Sequence, residues 1–476
     1  MMRSAIGPLS LSKRVSPTCA ARQHNACRTF FLMASDDALP VLFRSGGSLG
    51  NMESKKHIVI GTREHWGQMM PLVLSHNDRR QHLYCLGKSG TGKTTLLHNL
   101  MVQDIEAGHG LAFIDPHGDE SRNLLDYIPS HRIKDVVYFN PADTEYPIGF
   151  NLLGSVPPDS RHLVASGVVS AFKSIWRDSW GPRLEYILYA AVAALLECEN
   201  VSLLGLQRML SDARYRAWVV KQVKDPIVRS FWVNEFENYD DRFLREAVSP
   251  IQNKVGQLLM SPQLRNVLGQ VRSKIDARFM MDNKRIFIAD LSKGKLGADK
   301  SNLIGALLVT QFQLAAMSRA DMPESERQDM FLYIDEFQSF ATDSFISILS
   351  EARKYRLCLT LSHQYVEQLN PEIREAVFGN VGSIVSFRVG QRDAEVLERE
   401  FGGAYLAGNF TRLSNYEICV KMLAGGEASE PFLGKTASPV GKRHGKHAAI
   451  LRRSRERFAT KRSAVEDKIR RWLRQK

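Results

Sequence analysis

The sequence predicts an α/β fold: a doubly wound, mostly parallel sheet interrupted by an inserted all-α subdomain. Three observations predict it. Seven short runs rich in apolar and β-branched residues lie along the chain, and most are continuously apolar, the pattern of strands covered on both faces. Helical patterns separate most of these runs, and a βαβα order belongs to parallel sheets. One stretch, 152–280, has no convincing strand and reads as helices throughout.

Taken in order, HLYCLG at 82–87 is the first buried-type strand, and TTLLHNLMVQDIEAG at 94–108 follows as a helix closed by Gly108. LAFID at 111–115 and VVYFN at 136–140 are the next two strands. Helices over 183–198, 202–223, 226–238 and 243–268, parted by Pro, Ser, Gly and Asp, make up the insertion. Strands return with IFIADL at 286–291, FLYIDE at 331–336, LCLTLSH at 357–363 and SIVSFRV at 383–389. After Asn409 the periodicity weakens, until SAVEDKIRRWLRQK ends the chain as a short basic amphipathic helix. The expected organisation is therefore a core from 57–151 and 281–409, the insertion 152–280 and a C-terminal extension 410–476. Residues 1–50 stand apart as an N-terminal extension. Its first 35 residues are rich in Ser, Arg and Ala and hold no acid, which reads as non-native sequence ahead of a later start at Met33 or Met52, or as an organellar targeting segment.

Composition excludes several classes. With 476 residues, 44% hydrophobic and 24% charged, the chain is neither disordered nor fibrous. No window reads as the 18 or so apolar residues of a membrane span; LEYILYAAVAALLE at 184–197 is too short and carries Glu185. Six cysteines lie far apart with no CxxC pair, so a disulfide scaffold or zinc site is not expected, and each reads as a small buried hydrophobe. The net charge of +13 is unevenly spread. Residues 435–476 hold fifteen basic residues against three acidic, whereas residues 36–434 hold 44 against 48. The tail thus reads as a separate basic arm with salt-sensitive phosphate contacts.

The strongest chemical signal is GKSGTGKT at 87–94, a P-loop pattern between a buried strand and a helix. The backbone of Gly87, Lys88, Ser89, Gly90, Thr91, Gly92, Lys93, Thr94 and Thr95 would wrap phosphates at a helix N-terminus. Lys93 would bridge the phosphates and Thr94 would ligate Mg²⁺. In FLYIDEF, Asp335 ends an apolar strand as a second Mg²⁺ contact, and Glu336 is placed to orient the attacking water. Gln364, ending another strand in LSHQ, is placed to sense the γ-phosphate. Arg353, with Lys354 beside it near a helix C-terminus, reads either as a complement to the helix dipole or as an arginine finger reaching across a subunit interface. Arg388, in FRVG, has the same two readings. Asp115, His117 and Asp119 in IDPHGD resemble metal ligands, but Pro-His-Gly-Asp is a good turn, and the turn reading is preferred. Lys293 and Lys295 in LSKGKLG belong either to a pore-lining loop that meets nucleic acid or to a solvated loop.

Together GKSGTGKT, IDPHGD, SWGPRLEYIL (179–188), LSKGKLG, YIDEFQSF, EARKYRLCLTLSHQY, VSFRVGQRDAEVLEREF, YEICVKMLAGGEASEPF and SRERFATKRSAVEDKIRRWL resemble the conjugative coupling proteins of the TraG/TraD kind, within the HerA/FtsK group of P-loop ATPases. The resemblance runs from about residue 57 to the end. It implies a RecA-like motor with an all-α insertion, assembled as a ring, usually a hexamer, with nucleotide between subunits. By the same resemblance Lys93 and Thr94 match the phosphate and Mg²⁺ residues, Asp335 and Glu336 the Mg²⁺ and catalytic acids, Gln364 the sensor, and Arg353 a residue acting in trans. The expected activity is Mg-ATP hydrolysis that moves DNA, with a relaxase or secretion apparatus as further partners and the cytoplasm, with peripheral membrane recruitment, as its place. Three alternatives are a HerA-like motor acting on DNA ends, a secretion ATPase that moves or assembles protein without DNA, and a binding protein whose ring docks a relaxase-type partner through 152–280 and hydrolyses little. Many coupling proteins carry N-terminal membrane helices, and none is read here.

Overall fold

Every residue of Leu83–Leu86, Gly110–Asp115, Val136–Phe139, Ile286–Asp290, Met330–Ile334, Leu357–His363 and Ser383–Ser386 is buried, as seven strands covered on both faces must be. These strands come from a computed structural model that describes residues 56–154 and 156–474. The expectations for residues 1–50, with Cys19 and Cys27, lie outside the described residues. In chain order the strands are β1 (His57–His65), β2 (Gln68–Ser75), β3 (Leu83–Leu86), β4 (Gly110–Asp115), β5 (Val136–Phe139), β6 (Ile286–Asp290), β7 (Met330–Ile334), β8 (Leu357–His363), β9 (Ser383–Ser386), β10 (Glu417–Lys421), β11 (Leu423–Ala424), β12 (Glu427–Ala428) and β13 (Phe432–Thr436). Eleven of them form one sheet in the order β2-β1-β13-β10-β9-β3-β8-β7-β4-β6-β5, and β11 and β12 form a small hairpin. From β9 to β5 the pairing is parallel throughout. The strands from β10 to β2 add an antiparallel extension that periodicity did not indicate.

Alternate side chains of the parallel strands enter two cores. Leu83, Cys85, Leu111 and Phe113 meet Leu96, Leu97 and Leu100 of the helix Lys93–Ala107 on one face. Tyr84, Leu86, Ala112 and Ile114 share the other core with the helices between β5 and β6. Among the described residues that stretch, from 140 to 285, carries no strand and is dominated by helices such as Arg161–Ile175, Pro182–Leu196 and Asp241–Met260. Cys85, Cys198, Cys358 and Cys419 are free and buried.

Two expectations are corrected. A helix long and apolar enough to cross a membrane does exist at Ala298–Asp321, but 72% of its apolar window is buried in the protein. Gly305 lets Phe340 lie against it, and Thr310 fills the space above Gly167 of the helix Arg161–Ile175. It is a crossover helix of the core. The basic tail is not a separate arm either. Ile450 and Ser454 of the helix His447–Phe458, and Val465 and Ile469 of the helix Arg462–Arg474, are buried against the body. The backbone N–H of Tyr138 donates to Ser454 Oγ at 3.0 Å, and Arg455 pairs with Asp143 at 2.8 Å. The Arg208 guanidinium lies over the rings of Tyr215 and Trp472. An apolar stripe at helical spacing docks the tail while most of its arginines face water.

Candidate nucleotide site

Strand β3 delivers the chain to the carboxyl edge of the parallel sheet, and Gly87 begins the loop there. Its N–H donates to His363 O at 3.2 Å and that of Lys88 to Arg388 O at 2.9 Å, so β8 and β9 clamp the loop on both sides. Gly90 and Gly92 have φ of 76° and 119°, a region open to glycine. A Cβ on Gly92 would meet the Tyr416 ring at 2.8 Å, so the loop also needs glycine for space. Thr91 Oγ1 donates to Lys88 O at 2.7 Å and ties the loop across itself. The helix Lys93–Ala107 then starts with no side-chain cap, which leaves its first N–H groups for an anion. Lys93 is buried, its ammonium held on Gly87 O at 2.6 Å and Lys88 O at 3.1 Å. Lys88, Ser89, Gly90 and Thr94 are exposed, and Thr95 is half-buried behind them.

Beside this loop, β7 ends in two buried acids. Burial raises the Asp335 carboxyl above its usual range, and Asp115 and Glu336 push it further the same way, against the opposing effect of the Ser362 hydroxyl. Such a group favours a cation as partner. Glu336 is the opposite case. Burial works against its charge, yet the nearby His117 ring and hydrogen bonds from Gln364 and Gln338 bring its carboxyl down to about 2. Gln364, just past the end of β8, donates to Glu336 Oε1, and Gln338 donates to Oε2. His117 Nε2 lies 3.9 Å from Oε1. The Glu336 carboxylate beside it, opposed by partial burial and aided by the neighbouring acids, raises the His117 pKa. Glu336 itself has φ 47°, a strained left-handed backbone for a non-glycine residue.

The structure thus brings Lys93, Thr94, Asp335, Glu336 and Gln364 to one sheet edge. His117 and Gln338 join them, and neither was among the expected site residues. Asp115 accepts from His117 N at 2.8 Å and from Ser121 N and Oγ at 2.9 Å, while Asp119 pairs with Arg122. Those two acids shape the turn, as preferred, and the turn aims His117. Lys293 does not line a loop tip: it is half-buried, and its ammonium donates to Ser339 Oγ at 2.7 Å, whereas Lys295 is exposed. Arg388 stands at the same edge, donating to Asn415 Oδ1 at 3.0 Å. Arg353 is not part of this cluster. It lies exposed in the turn Ala352–Tyr355 that precedes β8, at the amino edge of the sheet.

The residues fit a nucleoside triphosphate with a divalent cation. The uncapped helix and Lys93 suit phosphates, and Thr94 and Asp335 suit Mg²⁺. Among the described residues no group of three or more His, Cys, Asp and Glu suits a metal alone. A cation here would share its ligands with phosphate oxygens, the usual habit of Mg²⁺.

No protein-family model matches the chain, and no curated protein matches it in sequence. Solved structures do match. The bacterial conjugative coupling protein TrwB, in an unbound form, gives a TM-score of 0.57 at 15% identity over 82% of this chain and 90% of that chain. The plasmid coupling protein TrwB in complex with ADP and Mg²⁺ gives 0.56 at 16% identity, over 82% of this chain and 95% of that one. VirB4 of Thermoanaerobacter pseudethanolicus gives 0.50 at 16% identity, over 80% and 96%. At these identities the likeness is one of fold, and the fold is that of a RecA-like P-loop NTPase, with a mostly parallel central sheet as in TrwB.

Proposed function

We propose that the chain is a Mg-ATP-dependent DNA translocase of the conjugative coupling type, working as a hexameric ring with nucleotide between subunits. The observation that carries the reading is the convergence of Lys93, Asp335, Glu336 and Gln364 on the uncapped helix N-terminus at the carboxyl edge of the sheet. TrwB supports it from outside: it has been solved with ADP and Mg²⁺ and with a non-hydrolysable ATP analogue. In this reading the loop 87–95 and Lys93 hold the phosphates, and Thr94 and Asp335 hold Mg²⁺. The ion, when bound, neutralises charge on the phosphate oxygens. Glu336 orients water and accepts its proton, for which an ionised carboxylate is the right state. Gln364 links Glu336 to the phosphate, and Arg353 acts on a neighbour's site. DNA and a relaxase or secretion apparatus are the partners, which recruit the protein from the cytoplasm to the membrane.

The test is ATP turnover with no DNA, single-stranded DNA and duplex DNA. DNA is expected to stimulate it. Lys93→Ala and Glu336→Gln are each expected to lower kcat by about a hundredfold or more. Turnover in Lys93→Ala would remove the site assignment. One other reading is a secretion ATPase that works without DNA; turnover indifferent to all DNA would select it.

A further inference from the structure

Glu336 is held from two sides that differ in kind. Gln364 follows directly on a buried strand of the central sheet. Gln338 sits on the single turn Phe337–Ser339, which Glu336 itself begins, with Ser339 N donating to Glu336 O at 2.9 Å. The strained φ of Glu336 therefore belongs to the same small unit as Gln338. The unit is imperfectly satisfied. While the Gln338 amide nitrogen grips Glu336 Oε2, its carbonyl oxygen Oε1 is buried with no hydrogen-bond partner. A buried acceptor without a donor is costly, so the grip has an alternative that water would reward.

The same turn has one further tether. Ser339 Oγ accepts from Lys293 Nζ at 2.7 Å, and Lys293 opens the short helix Lys293–Leu296 that also exposes Lys295. A serine hydroxyl is a weak partner for a partly desolvated ammonium, and a phosphate oxygen is a much better one.

We propose that Gln338 is a positioning residue that clasps Glu336 in a closed arrangement, and that Lys293 ties this clasp to the basic helical turn Lys293–Leu296, so that a nucleic-acid backbone drawing Lys293 away from Ser339 releases the glutamate. Release does three things together. It frees Oε2 to face water, lets Gln338 Oε1 find a donor and relaxes the left-handed backbone at Glu336. The proposal rests on the ATPase reading above and adds a trigger to it.

The test compares the full chain with Gln338→Ala, Lys293→Ala and the double variant Gln338→Ala/Glu336→Gln, each with and without a short duplex oligonucleotide. Thermal melting serves as a check of folding. Without DNA, Gln338→Ala is expected to raise kcat about tenfold at unchanged KM, a factor equal to ~1.4 kcal/mol. Lys293→Ala should move in the same direction, both single variants should lose most of the stimulation by DNA, and the double variant should be inactive. A residue that merely shapes the turn would lower kcat instead. Gln338→Ala turning over no faster than the unaltered chain, or keeping full stimulation, overturns the proposal. An unaltered chain that ignores DNA overturns the translocase reading and the Lys293 trigger, whereas the clasp is judged by the DNA-free rates alone.

Discussion

Residue by residue, the site was legible where chemistry is local in sequence. Lys93 and Thr94 are fixed by the spacing of the glycine loop, and Asp335 and Glu336 by the end of an apolar run. Gln364 follows from the same logic one strand over. His117 and Gln338 were not legible as partners of Glu336, because what joins them to it is the side-by-side placement of β4 and β7 and the left-handed turn after Asp335. Gln338 carries no sequence signal of its own, and the motif IDPHGD marks His117 only as part of a turn. Other histidines give a prediction at this scale. His82 donates from Nε2 to Leu349 O and accepts the Leu359 N–H at Nδ1, so its ring is neutral. Burial, with Arg353 nearby and against the Leu349 hydrogen bond, lowers its pKa to about 4. Burial and Arg79 lower that of His76 to about 3. Both folded pKa values lie below the unfolded value, so the unfolded chain takes up protons first as pH falls through 6.5. Stability is therefore lost on acidification, by about 2 kcal/mol for each histidine at pH 5. Urea unfolding at pH 7.5 and pH 5 measures it. Replacing His82 by Gln, which can still donate and accept, should flatten its share of the slope.

Among the elements, the seven parallel strands were legible because burial on both faces makes them continuously apolar. The antiparallel extension was not. β1 reads HIVIGTREH with its last residues exposed, and β13 reads FLGKT with alternate residues exposed, so neither stands out from an amphipathic loop. Their partners also lie far away in sequence: Gly61 pairs with Thr436. The same distance hid the role of the tail. Asn99, on the helix that begins at Lys93, donates to Ala437 O at 3.0 Å and Ser438 O at 3.1 Å and accepts the Val440 N–H at 2.9 Å. The segment after β13 thus straps the P-loop helix. Deletion of 435–476 is therefore expected to abolish ATP turnover and cooperative melting, where loss of a mere basic arm would change only the salt dependence of DNA binding. A gentler probe is Ile469→Ala or Ile450→Ala. Each removes a buried side chain of the tail and should cost ~3 kcal/mol by urea unfolding.

For the molecule as a whole, the position of Arg353 sets the most demanding test. In a parallel sheet the site forms at the carboxyl edge, and Arg353 immediately precedes β8 at the amino edge. The seven residues of β8 span roughly 20 Å at about 3.3 Å each, farther than an arginine side chain reaches. Within one chain Arg353 cannot serve its own Lys93. If it contributes to hydrolysis, it does so on the site of a neighbouring copy, and each working site then needs Lys93 from one chain and Arg353 from another. Arg353→Ala and Lys93→Ala should each be inactive alone. Mixed in equal amounts under conditions that allow subunit exchange, they should regain turnover, because some interfaces then pair an intact Lys93 with an intact Arg353. Recovery should depend on protein concentration, as shared sites require association. The double variant Arg353→Ala/Lys93→Ala mixed with either single variant should restore nothing, because one of the two residues is then missing from every chain. Full activity of Arg353→Ala by itself would leave the arginine only its role at the end of the preceding helical turn, where a cation complements the dipole.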